Sequence, residues 1–202
     1  MELLWPEDDP VKTAKRFHVA LASLRKTLEP EIDRGTPSSY ILRSGDAYRI
    51  DMGDDGYVDI ENFKNELILA RGAKHPKQSF THYLNAVSIY CGDFLEEDLY
   101  IPWCDEEREM FKEKYLQLLE EIINYYEVEK DYKNCIDYAK KYLKIDRYAE
   151  NIYQSLMTYY SQIGNKAMVT ITFKKCKDNI VTELDCPLSQ ETDILYRELS
   201  SI

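Results

Sequence analysis

At 202 residues, 44% apolar and 31% charged, the chain has material for one large core or two small ones. No run of about 18 apolar residues is present, so no membrane partner is expected, and Glu2, Glu7, Asp8 and Asp9 at the start make a secretory leader unexpected. The formal net charge of −11 is uneven: eight Lys/Arg face nine Asp/Glu before residue 53, and 18 face 28 after it, so contact with a polyanion is expected from the first part.

In chain order, Met1 to Pro6 (MELLWP) reads as the last turn of an apolar helix, ended by Pro6 and an acidic loop. Asp9 is placed to N-cap the next helix, with Pro10 at the first helical position, where its missing N–H costs nothing. Val11 to Leu28 carries Lys12, Lys15, Arg16, Arg25 and Lys26 and no acid. On a 3.6-residue period Ala14, Phe17, Leu21, Leu24 and Leu28 share a face for a core, and Lys12, Lys15, Val19, Ser23 and Lys26 lie opposite. A cationic face with small residues can lie against a phosphate backbone and admit a groove edge. Residues 29–39 read as a polar loop, and Tyr40 to Asp51 (YILRSGDAYRID) as two short strands around Ser44-Gly45-Asp46. Helix then hairpin is the order in which a winged helix-turn-helix presents recognition helix and wing. Residues 53–56 are the linker.

From Tyr57 the pattern is helical, with helices expected over 59–72, 79–90, 105–129, 132–145, 148–163, 166–184 and 189–199. The breaks at Lys130-Asp131 and Gly164-Asn165 are separated by the period of tetratricopeptide helix pairs, about 34 residues. At that offset Leu119 pairs with Tyr153, Ile122 with Leu156, Tyr126 with Tyr160, Cys135 with Val169, Ala139 with Phe173 and Tyr142 with Cys176. Such pairs stack because none buries its face alone. Ala139 is expected at a tight helix contact, and Trp103 as an anchor before the long helix from Asp105.

Catalytic and cofactor motifs are missing: no G-x-S-x-G, no phosphate-binding G-x-x-x-x-G-K-[ST], no G-x-G-x-x-G. No enzyme activity, metal or cofactor is therefore expected. The acid runs at 96–98 and 106–107 read as solvated faces and helix N-terminal dipole partners, and the 17 tyrosines as core and groove lining. Cys91, Cys104, Cys135, Cys176 and Cys186 form no C-x-x-C and read as buried, reduced thiols of a cytoplasmic protein.

Four blocks of the sequence resemble the bacterial transcriptional activator domain family. LLWPEDDPVKTAKRFHVALASLRKTLEP is similar to the end of the second helix plus the recognition helix of the family's winged-helix domain, and YILRSGDAYRID to its wing. VDIENFKNEL resembles the junction into the helical domain. AVSIYCGDFLEEDLYIPWCDEERE, with Gly92-Asp93-Phe94-Leu95, Trp103 and Glu107-Arg108, resembles the signature leading into tetratricopeptide-like helices. The resemblance implies a mostly α-helical transcription regulator with two parts. Residues 1–56 would form a partial winged-helix DNA-binding domain, and residues 57–202 a domain of stacked helical hairpins for dimer, partner or intramolecular regulatory contacts. It also implies a sheet, a first helix and most of a second before Leu3, so the chain is expected to be a piece of a larger regulator. One departure is Ser23, where the family's recognition helix often carries arginine.

Under this reading the partner is duplex DNA. Lys12, Lys15, Arg16 and Lys26 would touch phosphates, Val19 and Ser23 would face base edges, and Arg43 and Arg49 would reach backbone or minor groove from the wing. The alternative is a helical-repeat interaction module without DNA contact, which would bind a protein partner or a second copy of itself.

Overall fold

The computed structural model describes Trp5 and residues 9–33, 35–53, 56–98 and 102–201. The chain divides after Val58 into two compact units. The reading of Met1 to Pro6 as a helix end lies outside the described residues, apart from Trp5, which is half-buried and in no helix.

In the first unit α1 spans Pro10–Leu28 and is followed by β1 (Ile41–Ser44) and β2 (Ala47–Ile50). The Asp9 carboxylate accepts from the backbone N–H groups of Val11 (2.9 Å) and Lys12 (3.4 Å), with Pro10 opening the helix as expected. The strands pair antiparallel, Ile41 opposite Ile50 and Ser44 opposite Ala47. Gly45 starts the two-residue turn at φ 62°, which an L side chain would strain.

The second unit is α2 (Asp59–Gly72), α3 (Pro76–Ile89), α4 (Asp105–Val128), α5 (Tyr132–Ile145), α6 (Glu150–Gln162), α7 (Lys166–Lys177) and α8 (Gln190–Ser201), each packed on the next in sequence from α2 to α8. Two of its turns are built alike. Lys130 (φ 58°) and Gly164 (φ 73°) take the left-handed conformation. The next N–H, of Asp131 or Asn165, bonds back to the carbonyl of Tyr126 (2.9 Å) or Tyr160 (2.8 Å), closing the helix in a Schellman-type motif. The side chains of Asp131 and Asn165 then accept from Asn134 N–H (3.2 Å) and Met168 N–H (3.1 Å) to begin the next helix. One residue thus serves the end of one helix and the start of another, and the device recurs at the tetratricopeptide interval.

The paired positions fill the core. Leu119, Ile122, Cys135 and Ala139 are buried with their counterparts Tyr153, Leu156 and Val169, while Phe173 is partly buried against the cluster. Rings stack where adjacent helices meet: Phe80 on Tyr125 at 3.8 Å, Tyr90 on Tyr115 at 4.0 Å and Phe173 on Tyr196 at 3.9 Å between centroids. The last helix is fastened by Glu150, whose carboxylate accepts from Ser189 N–H (2.9 Å), Ser189 Oγ (2.7 Å) and Thr192 Oγ1 (2.5 Å). Burial pushes the Glu150 carboxyl up, but these bonds outweigh it and hold the group below its ordinary 4.5.

Several expectations are corrected. Trp103 is not an anchor, for its side chain is 44% exposed. That role falls to Cys104, fully buried, and to Arg108, which donates to the Phe94 carbonyl (3.1 Å), Asp105 (2.6 Å) and Cys104 Sγ (3.2 Å). Arg108 lies one helical turn past Cys104, so the inward face of α4 begins there and Trp103 precedes it. Cys91 and Cys186 are exposed, while the other three cysteines are buried. Helix α3 starts at Pro76 rather than residue 79, because a proline fits the first helical turn. Past Lys177 the α-helix continues as a π-helical turn, Asp178–Glu183, which carries Asn179 inward onto Tyr153 Oη (2.6 Å) and the Arg147 carbonyl (3.1 Å).

Two outcomes follow. Ala139→Arg overpacks the α5 contact and buries an unpaired charge, so the chain should lose on the order of 3 kcal/mol in urea denaturation; an unchanged midpoint would contradict the register. Thr192→Val leaves Glu150 a bond short and should cost about 1–3 kcal/mol. Because the Glu150 carboxyl is lowered in the folded state, its stabilisation is fully present above the ordinary carboxylate range. It is lost as pH falls through the lowered value, so the gap between wild type and Thr192→Val should close in acid.

Candidate nucleic-acid interface

The first unit is held together by a few side chains between α1 and the hairpin. At the C-terminus of α1 the Glu29 carboxylate accepts from Ser38 Oγ and from Ser39 N–H at 3.0 Å. Ser38 Oγ in turn accepts from the N–H groups of Tyr40 (3.2 Å) and Ile41 (2.9 Å), where β1 starts. These hydroxyl and backbone bonds hold the Glu29 carboxyl below its ordinary range. From β2 the Tyr48 ring lies 5.5 Å from Phe17 and 6.4 Å from His18, with the Arg25 guanidinium 5.9 Å and the Arg43 guanidinium 6.0 Å from its centroid. Tyr48 thus ties helix to hairpin through ring contacts and cation–π attraction.

That packing decides which face of α1 looks out. Thr13 and Leu21 are buried, and Ala14, Phe17 and Arg25 are half-buried. Leu24 and Leu28, expected in the core, are 40% and 41% exposed, because the inward stripe runs through 13, 17, 21 and 25 and leaves them at its edge. Lys12, Lys15, Arg16, Val19, Ser23 and Lys26 are all exposed on α1. Among the described residues Lys12, Lys15 and Lys26 make no ion pair, and α1 has no acid of its own. On the hairpin, Arg43 donates to the Gly45 carbonyl (2.8 Å) and lies 3.8 Å from Asp46, while Arg49 pairs with Asp51 at 3.2 Å. Both pairs are exposed, so each is worth at most about 1 kcal/mol and can yield to a phosphate.

Sequence reasoning misses Tyr48, Glu29, Ser38 and Arg25 as the parts that position this surface. The alternation along Ala47–Ile50 offers one signal for Tyr48, which is half-buried between exposed neighbours. By sequence Arg25 reads as one more surface cation. Its Nε is buried without a hydrogen-bond partner, so it belongs to the packing. No group of His, Cys, Asp and Glu that could hold a metal occurs among the described residues, and none of their helices is long and apolar enough to cross a membrane.

A family model described as "Bacterial transcriptional activator domain" matches residues 58–200. Among solved structures, Mycobacterium tuberculosis EmbR in complex with a low-affinity phosphopeptide matches with a TM-score of 0.68 at 17% identity, covering 98% of this chain and 52% of that one. The chain therefore spans about half the length of that protein, and the likeness is one of fold. No curated protein matches the sequence.

If Tyr48 holds the hairpin on α1, Tyr48→Ala should weaken that contact by roughly 1 kcal/mol beyond the lost area. Hydrogen exchange of the hairpin amides should then be about fivefold faster, with the α4–α7 amides unaffected; equal rates in the hairpin would put the tie elsewhere.

Proposed function

Because the chain belongs to the bacterial transcriptional activator domain family, a family of transcription regulators, we propose that it acts in the cytoplasm as part of a DNA-binding regulator whose duplex contact is α1 with the β1–β2 wing. One observation carries the reading: an acid-free helix presents Lys12, Lys15 and Lys26 together, exposed and without ion pairs among the described residues, beside a docked two-stranded hairpin. Lys12, Lys15, Arg16 and Lys26 neutralise phosphates, which positions the helix. Val19 and Ser23, between those cations, face base edges. Ser23 offers one hydroxyl where an arginine would give a bidentate fork to guanine, so direct readout at that position is weak. Arg43 and Arg49 exchange their exposed carboxylate partners for backbone or minor-groove contacts. The stacked hairpins of the second unit mediate contacts with a second copy, a partner or the rest of the regulator, without enzymatic chemistry.

A second reading, a helical-repeat interaction module with no DNA contact of its own, is favoured by the extent of the family match, which begins at residue 58 and leaves out α1 and the wing.

Titration of duplex at several salt concentrations separates the two. Each lysine on a phosphate adds about 0.9 to the slope of log K against log salt, so Lys12→Ala/Lys15→Ala should flatten it by roughly 2. Equal slopes would remove α1 as the contact, and no salt-dependent binding by either protein would leave the interaction module. Ser23→Arg should shift base preference toward guanine by roughly 1–3 kcal/mol, seen as a changed ranking across a set of duplexes differing at single positions.

A further inference from the structure

The net acidity of the second unit conceals a sharp segregation of charge. Helices α5 and α7 together carry eight lysines and one acid, Asp137, whereas α4 alone carries eight acids. Their inward faces are set by Cys135, Ile136, Ala139, Tyr142 and Leu143 on α5 and by Val169, Thr172 and Cys176 on α7. The opposite faces therefore present Lys140, Lys141 and Lys144, and Lys174, Lys175 and Lys177, all exposed. Lys140 and Lys174 are separated by the same interval as the two turns, as are Lys141 and Lys175, and the matching caps at Asp131 and Asn165 put each pair at the same height on successive hairpins. Helix-dipole complementation accounts for basic residues in the last turn, but Lys140 and Lys141 lie ahead of the last turn of α5.

Among the described residues none of these six lysines makes an ion pair, and the one acid on the two helices, Asp137, lies on α5 three and four residues before Lys140 and Lys141. Elsewhere in the same unit Lys64, Arg108, Lys112 and Arg147 are each held by a carboxylate, Glu61, Asp105, Glu109 and Glu183. The ammonium nitrogens of Lys140 and Lys141 instead lie 5.6 Å and 4.5 Å from the ring centroids of Tyr160 and Tyr138, an exposed cation–π attraction weak enough to yield to an anion.

We propose that the outward faces of α5 and α7 form a second polyanion-binding surface on this chain, and that its occupant is the phosphate backbone of duplex DNA. Protein interfaces are depleted of lysine at their centres and enriched in aromatic residues, methionine and arginine. Here the exposed large apolar side chain on the two helices is Ile171, and neither helix contains arginine. Mobile, strongly hydrated ammonium groups suit a backbone of regularly spaced phosphates. Lys144 shares a surface cleft with Glu109 and Glu113 of α4, so the surface rests on Lys140, Lys141, Lys174 and Lys175, and acids lying farther than about 8 Å from these four are largely screened at physiological ionic strength. The choice of duplex over another polyanion rests in part on the α1 reading, whereas the surface itself stands on its own residues.

The test uses the whole chain, with Lys140→Ala/Lys141→Ala/Lys174→Ala/Lys175→Ala and Lys12→Ala/Lys15→Ala as separate variants. Each is titrated with a labelled duplex from low to physiological salt, with polyglutamate as a second titrant. Circular dichroism should show the fourfold variant folded, since all four side chains are exposed and alanine favours helix. Wild type should bind duplex at low salt, and the fourfold variant should lower the salt slope by about 3 to 4. A loss in the fourfold variant with none in the Lys12/Lys15 variant supports this surface and removes α1. A loss in the Lys12/Lys15 variant alone overturns this surface and keeps α1. Absence of duplex binding at low salt overturns it, and lysine-dependent binding of polyglutamate without duplex binding overturns it in favour of an acidic protein.

Discussion

The second unit depends on one constraint, a helix–helix turn that can be written twice in the same chain. The N–H that follows a left-handed residue must bond back into the helix just ended, and the same residue's side chain must cap the helix ahead. Asp131 and Asn165 both meet that demand, although one is charged and the other is not. What the position requires is a short side chain with an oxygen acceptor. The left-handed site holds Lys130 as well as Gly164. With the two turns alike, core positions such as Leu119, Ile122 and Cys135 in one hairpin have counterparts in the next, Tyr153, Leu156 and Val169, and stacking buries both.

This explains what can be read from residues alone. Helix extents, the repeat register and the buried identities at 119, 122, 135 and 139 follow from period and spacing, which burial on one side enforces. Trp103 was not legible because size and apolarity favour burial without dictating it. The direction in which α4 starts is set by Arg108 reaching the Phe94 carbonyl, a contact across a loop that no local pattern encodes. Glu150 was similarly silent, its partners Ser189 and Thr192 lying two helices further along the chain. Caps bind within a few residues and can be read, whereas clasps bind across the chain and cannot.

In the first unit the same distinction separates the cationic face of α1 from what positions it. The cationic face of α1 was legible because a missing acid is a local fact. That the inward stripe runs through Thr13, Phe17, Leu21 and Arg25 was not, since the Tyr48 ring that covers Phe17 and Arg25 arrives from β2. The stripe leaves Leu24 and Leu28 at its edge, so the helix is fixed to the hairpin by a narrow strip rather than a broad core. Removal of one ring contact would therefore act on the orientation of the whole helix.

Net charge is a poor guide to the partners of a stacked helical protein. A stack of hairpins keeps its first and second helices on different sides, so each set can carry its own charge without affecting the other beyond a screening length. Here the acids concentrate on α4, where three of them meet the positive end of the helix dipole at Asp105, Glu106 and Glu107. The lysines concentrate on α5 and α7, where the register repeats them. An excess of acid summed over the whole second unit is therefore compatible with a cationic surface two helices wide. What decides whether such a surface meets a polyanion is how many of its cations are left unpaired within the unit, a quantity that becomes visible only once the helices are placed.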